Sequence, residues 1–294
     1  MREDDYVAKQ PRSLQGKVVV VTGGARGIGA CTAGVLGRLG AKVAIGDLDE
    51  GDAQAAAKDV SPEAIGLRLD VTERAGFTAF LDEVERRLGP IDILINNAGI
   101  MPLAELERED DAMTTRQLEI NLHAVIHGTR EAARRMRPRG TGHIVNVASA
   151  AGKAGFPGGA TYCATKHGVV GLSEAMYFEL RDSGVDVSVV LPAVVRTELA
   201  AGLNEARGVS SVLPEDVAKA IATALRFPRF EVFVPQSAGM VQKVSSVLPR
   251  KAAEWIMRTM GADQLLLSAV NSTARADYES RVAAGVSGER EPTE

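Results

Sequence analysis

Cysteine is scarce. The chain of 294 residues has two, Cys31 and Cys163. Two thiols cannot build a disulfide framework, so a reducing, cytoplasmic setting is the expectation. A basic excess is also lacking. The formal net charge is −4, and a nucleic-acid footprint would need a strong surplus of lysine and arginine, so no nucleic-acid partner is expected. No apolar run approaches the roughly 20 residues that a membrane-spanning helix requires. Met1 to Gln10 is charged and polar and has no apolar core of the kind a signal peptide carries.

The remainder is an ordinary globular mixture, 45% hydrophobic and 24% charged. Its length suits one large domain or two small ones. Lys17–Thr22 reads KVVVVT, a continuous β-branched run expected of a strand buried on both faces. Further strands are expected at Lys42–Ile45, Ile65–Leu69, Ile91–Ile95, His143–Val147, Val185–Leu191 and Glu231–Val234. Helical stretches fall at Ile28–Leu39, Asp49–Asp59, Glu73–Leu88, Asp110–Met136, Ala160–Arg181 and Pro214–Leu225. Strands that alternate with long helices form right-handed βαβ units, which predicts an α/β fold with a Rossmann-like, doubly wound parallel sheet of about seven strands. A catalytic domain is expected over 15–235, between a polar N-terminal tail (1–14) and a helical extension (236–284), with a disordered tail over 285–294. In the extension, Val241, Val244, Val247, Leu248, Ala252, Trp255 and Ile256 recur at near-helical spacing, followed by Leu265, Leu266 and Leu267. Packing on the main domain is the favoured expectation, and docking on a partner or a membrane surface is the alternative.

Thr22-Gly23-Gly24-Ala25-Arg26-Gly27-Ile28-Gly29 lies between the first strand and the first helix. A pyrophosphate needs bare backbone N–H groups at a helix N-terminus, and glycine removes the side chains that would block it. The placement between strand and helix supports a dinucleotide site. Asp47, with Leu48 beside it, closes the second strand, where a carboxylate accepts bonds from ribose hydroxyls and repels a 2′-phosphate. That favours NAD. Arg26 points toward NADP, because a guanidinium in the glycine turn pairs with phosphate. Asp70 and Val71 end the third strand, where they border the adenine; capping of the next helix by Asp70 or Thr72 is the other use of that site.

At this point the sequence resembles the short-chain dehydrogenase/reductase family, from about Lys17 to Thr197 and more weakly to Val234. Thr22-Gly-x-x-x-Gly27-Ile28-Gly29 is similar to the family's cofactor motif. Asn96-Asn97-Ala98-Gly99 is similar to its NNAG motif, and Ser149, Tyr162 and Lys166 match its Ser…Tyr-x-x-x-Lys signature. The family's Pro-Gly after the sixth strand is here Pro192-Ala193. The resemblance implies that Asn121 joins a proton relay, that the backbone of Val195 and the side chain of Thr197 fix the nicotinamide carboxamide, and that the protein is a homodimer or homotetramer paired through its two longest helices.

Tyr162 and Lys166 are i and i+4 on a helix, so one face carries both. A free tyrosine is a poor base near neutral pH, and the ammonium should lower its pKa. Tyr162 is then the general acid and base, Ser149 holds the substrate oxygen, and Lys166 also holds the nicotinamide ribose. The loop Ile100–Leu103, the segment with Leu199, Leu203, Val209, Val212 and Leu213, and Ala150, Ala151 and Phe156 are expected to flank an apolar alcohol or ketone. His123 and His127 lack the glutamate of a zinc motif, so no metal is expected. Cys163 suits packing, and Arg134, Arg135, Arg137 and Arg139 suit a solvated helix C-terminus.

Overall fold

The computed structural model describes residues 10–203, 211–259, 261, 264–270 and 272–287. Val209 and the outer parts of both expected tails, 1–9 and 288–294, lie outside the described residues. Seven parallel strands form one sheet: β1 (Val18–Thr22), β2 (Lys42–Asp47), β3 (Ile65–Arg68), β4 (Ile93–Asn96), β5 (Gly142–Val147), β6 (Val185–Pro192) and β7 (Glu231–Val234). Their order is β3-β2-β1-β4-β5-β6-β7, so the direction of winding reverses between β1 and β4. Alternate residues of the same apolar strand serve opposite faces. Val19 and Val21 enter one core, and Val18 and Val20 enter the other.

The first core is covered by α1 (Gly27–Arg38), α2 (Glu50–Val60) and, from further along the chain, Pro214–Arg226. Leu14 belongs to it, and Arg12 donates its backbone N–H to the Arg226 carbonyl, so the inner end of the expected N-terminal tail packs on the domain. On the other face lies α3 (Arg74–Leu88), which contributes Phe77, Phe80, Leu81 and Val84.

The stretch expected as one helix from Asp110 to Met136 has three parts. α4 (Asp111–Leu118) is capped by Asp110, which accepts from the N–H groups of Ala112 and Met113. Glu119–His123 is a π-helical turn, and α5 (Ala124–Met136) follows. A π turn inserts one residue into the helical ladder. Here that turn contains Asn121, whose amide bonds to the backbone of Ile100. α5 approaches β4 closely because position 128 is glycine: an added methyl would collide with Asn96 Oδ1 and lie 3.0 Å from Phe77 Cζ. α6 (Ala160–Glu179) and α7 (Pro214–Arg226) complete the domain. Arg135 pairs with Glu131, Asp82 and Glu85, so it knits α5 to α3 and only part of the arginine cluster is solvated.

Beyond the sheet come α8 (Gln236–Val247), α9 (Arg250–Thr259), two short 3₁₀ turns and α10 (Ala276–Ser287), which runs into the start of the expected disordered tail. Leu266 is buried beside Tyr162, in keeping with packing on the main domain. Val241, Val244 and Trp255 depart from that expectation and are exposed; the side chains of Val247 and Ile256 lie outside the description. Among the described residues no helix is long and apolar enough to cross a membrane.

Gly128→Ala should destabilise the fold by about 1–3 kcal/mol, the usual cost of overpacking. Urea denaturation measures it.

Candidate active site

The carboxyl ends of the strands open onto a cavity of about 1200 Å³. Its floor is the gap between β1 and β4, the place where a doubly wound sheet leaves room for a ligand. Gly23 and Gly27 take positive φ angles of 61° and 53°, which side chains disfavour. A Cβ on Gly23 would lie 2.8 Å from Ala98 Cα, and one on Gly29 would lie 2.7 Å from Asn97 Nδ2. Gly29 therefore serves close packing and, unlike the other expected cofactor residues, does not line the cavity. α1 begins at Gly27 with no acidic residue in its first turn and no side-chain cap. Its N–H groups are left for an anion, so the turn fits a pyrophosphate.

Asp47 is held at the rim of this cradle. One carboxylate oxygen accepts from Ala25 N at 3.0 Å and the other from Leu48 N at 2.8 Å. Arg26 is tied elsewhere, 3.3 Å from Asp52 and 3.7 Å from Glu198. The Asp70 carboxylate accepts from the N–H and hydroxyl of Thr72, closing an Asx turn, and α3 has no side-chain cap from either residue. Asp70 and Val71 line the cavity beside Leu48 and Asp49, while Asn97, Ala98, Gly99, Pro192, Val195 and Thr197 close its other walls.

Ser149 follows β5, and Tyr162 and Lys166 project from α6 into the same space. Lys166 Nζ donates to the Val147 carbonyl at 3.1 Å and lies 5.7 Å from the centre of the Tyr162 ring. Burial pushes the Tyr162 phenol upward, while a hydrogen bond with Ser149 acts against it. The same burial brings Lys166 down to about 8. The sequence leads one to expect a phenol lowered by the ammonium; burial instead raises it, and desolvation drives both groups toward their neutral forms. Asn121 is fully buried behind the wall. Its oxygen accepts from Ile100 N and its Nδ2 donates to the Ile100 carbonyl, both at 2.8 Å. A Cβ on Gly99 would stand 3.2 Å from Asn121 Oδ1 and 3.6 Å from Lys166 Nζ, so the two side chains converge on that glycine.

Of the residues expected to flank a substrate, Ile100, Met101, Ala150, Ala151, Phe156, Leu199 and Leu203 line the cavity. Pro102, Leu103, Val212 and Leu213 do not. Leu103 and Val212 are core, the latter bridged to Val195, and Leu213 is the N-cap of α7. Cys163 is buried next to Tyr162 and accepts from Phe156 N, a packing role. His127 stacks edge-on against Phe77 and its Nε2 lies 3.1 Å from the Arg74 carbonyl, while His123 pairs with Glu119. Among the described residues no group of histidine, cysteine or carboxylate side chains could hold a metal.

No local residue pattern foretells what closes the cavity. Tyr278, on α10, accepts from Met101 N at 2.7 Å and lines the wall, and burial raises its phenol to about 12. Arg275, just before α10, is fully buried. Its guanidinium donates to the carbonyls of Leu199, Ala201 and Met101 and pairs with Glu279. One side chain thus joins both substrate-flanking segments to the C-terminal extension.

Comparison with known proteins agrees with this geometry. A family model described as short chain dehydrogenase matches residues 17–208. A 3-oxoacyl-[acyl-carrier-protein] reductase of Haemophilus influenzae is 35% identical over 218 residues, covering 71% of this chain and 90% of the relative. A cis-4-hydroxycyclohexanecarboxylate dehydrogenase of Sinomonas cyclohexanicum is 38% identical, covering 70% and 88%. A 3-alpha-(or 20-beta)-hydroxysteroid dehydrogenase of Mycobacterium bovis is also 38% identical, covering 63% and 72%. Among solved structures, a short chain dehydrogenase/reductase from Burkholderia phymatum in complex with NAD superposes with a TM-score of 0.74 at 28% identity, covering 80% of this chain and 94% of that one. With its glycine cradle, its serine, tyrosine and lysine around one cavity, and a family match over most of its length, this chain belongs to the short-chain dehydrogenase family of oxidoreductases that act on CH–OH groups.

Proposed function

We propose that the protein interconverts a hydrophobic secondary alcohol and its ketone with NAD(H). The observation that carries this is the convergence of Ser149, Tyr162 and Lys166 on a cavity that has a phosphate cradle at one end and apolar walls at the other. At about 1200 Å³ it exceeds the roughly 300–1000 Å³ of a single small-ligand site. The apolar end is formed by Ile100, Met101, Phe156, Leu199, Leu203 and Leu266. Relatives named for a hydroxysteroid and a hydroxycyclohexanecarboxylate support a cyclic alcohol. NAD is favoured over NADP because Asp47 is fixed by two backbone N–H groups and Arg26 is already paired with carboxylates. A structural neighbour that binds NAD supports the same choice.

With the pyrophosphate of the dinucleotide held by the glycine cradle, its nicotinamide would supply or accept the hydride. The protein manages the proton. Ser149 and Tyr162 hold the substrate oxygen between them, and Tyr162 takes its proton on oxidation or returns it on reduction. Burial makes a bare phenolate costly, so the charge of Lys166 is needed where it stands. Its sequestration from water strengthens that effect. Thr197 and the backbone of Val195 fix the carboxamide, and Asn121, joined to the Ile100 backbone, positions the catalytic wall and links it to the relay. Self-association through α4, α5 and α6, where Phe178 is exposed, and a cytoplasmic setting that keeps both thiols free complete the proposal.

Tyr162→Phe should abolish turnover of cyclic and acyl-chain alcohols while cofactor affinity, read by NADH fluorescence, changes little; undiminished turnover defeats the mechanism. Asp47→Ala should weaken NADH binding and narrow its preference over NADPH, and tighter NADPH binding by the unaltered protein reverses the cofactor assignment. For Lys166 the folded protein penalises the protonated form. The penalty is complete below pH 8 and fades between about 8 and 10.5, where the unfolded lysine still holds its proton and the folded one does not. Lys166→Met should therefore flatten the rise of cofactor-free stability with pH in that window and eliminate activity. Denaturant titrations at pH 7 and 10 measure the first.

A further inference from the structure

The helices α8 and α9 lie outside the matched family region and carry an unusual surface. α8 rests on β7 through Gly239, where an added Cβ would lie 2.6 Å from Phe233. Gln242 bonds the Lys153 carbonyl, which also fixes the helix to the domain. Along another side, Met240 is 71% exposed, Val241 42% and Val244 53%. On α9, Trp255 is 69% exposed. Lys251, four residues earlier, and Arg258, three later, share its side of the helix. Scattered exposed apolar residues are ordinary. These are not scattered: four of the ten large exposed hydrophobic residues among those described fall within residues 236–259.

Charge sets this segment apart as well. It carries Lys243, Arg250, Lys251 and Arg258 against the single carboxylate of Glu254, which pairs with Arg250 at 3.1 Å. A local excess of three positive charges thus sits in a chain whose net charge is −4. Val241, Gln242, Arg250, Glu254 and Arg258 also line the cavity, so the patch borders the route by which a ligand enters. Exposed apolar side chains, one of them a tryptophan, on two helices that also carry an excess of cations match the composition of a surface that sits at a lipid–water interface. Anionic headgroups attract such cations, and the apolar side chains enter the layer beneath.

We propose that α8 and α9 seat the protein on the surface of an anionic lipid bilayer, with the cavity mouth at the membrane. The seat is peripheral, since no helix among the described residues is long and apolar enough to cross. It stands on these two helices and not on the identity of the substrate.

Trp255 is the only tryptophan in the chain, so its fluorescence reports on the patch alone. The full chain, mixed with vesicles of equal parts phosphatidylglycerol and phosphatidylcholine, should show a blue shift and sediment with the lipid. Vesicles of phosphatidylcholine alone should give neither effect, and salt near 1 M, where the screening length is about 3 Å, should release the protein. Lys251→Glu should weaken binding about tenfold and leave turnover of a water-soluble alcohol unchanged. Trp255→Ser, followed by sedimentation, should bind less. Unchanged emission with no sedimentation on the anionic vesicles overturns the proposal. So does unimpaired binding by Lys251→Glu, or a blue shift that grows with protein concentration without lipid, which would assign the patch to a second copy of the chain.

Discussion

Two parallel strands, β1 and β4, must be held side by side while the chain leaves them in opposite directions. Their helices depart to opposite faces of the sheet, and nothing in the sheet ladder ties the strand ends together beyond the last pair. Asn97 and Thr22 do so. The Asn97 amide donates to the carbonyls of Thr22 at 3.0 Å and Gly23 at 2.9 Å. The Thr22 hydroxyl in turn accepts from Asn97 N at 3.0 Å and Ala98 N at 3.2 Å. Each such bond is worth about 1 kcal/mol net, and more if one partner is stranded without the other. Together they fix the width of the gap, hence the approach of Gly23 to Ala98 and the aim of the first N–H groups of α1. The cofactor end of the cavity depends on this seam.

The chemical end depends on burial, which acts in two directions. Taking Tyr162 and Lys166 out of water opposes the charge on each. The phenol therefore gives up its proton less readily than free tyrosine, and the lysine ammonium gives up its proton more readily than free lysine. The same enclosure makes any charge brought into the cavity more effective. Keeping the lysine buried at this place opposes its charge and so costs stability.

Legibility followed distance along the chain. Strands such as Val18–Thr22 announced themselves by composition, and the glycine cradle and the Tyr162–Lys166 pair by spacing, because each is a local pattern. The π turn at Glu119–His123 was invisible, since it exists to place Asn121 against the backbone of Ile100 in another segment. Val212 reads as a pocket residue until its bridge to Val195 puts it in the core. The exposed stripe of α8 and α9 shows the opposite failure: periodicity marks an apolar side without saying what, if anything, covers it. Arg275 was the least legible of all, because its carbonyl partners at Met101 and Leu199 are 174 and 76 residues away.

That arginine has a further consequence for how the protein can change. Ser149, Tyr162 and Lys166 lie in the matched family region, but Tyr278 and Arg275 lie beyond it, so the residues that close the cavity can change while the proposed catalytic group stays as it is. Drift is not free in every direction. Met101, Leu199 and Ala201 share one guanidinium, and groups that share a partner do not respond independently. A selectivity change built into one of the two substrate segments alters the ground on which the other stands. Paired substitutions across them would be expected to succeed or fail together, and a search that varies one segment at a time would miss the combinations that work.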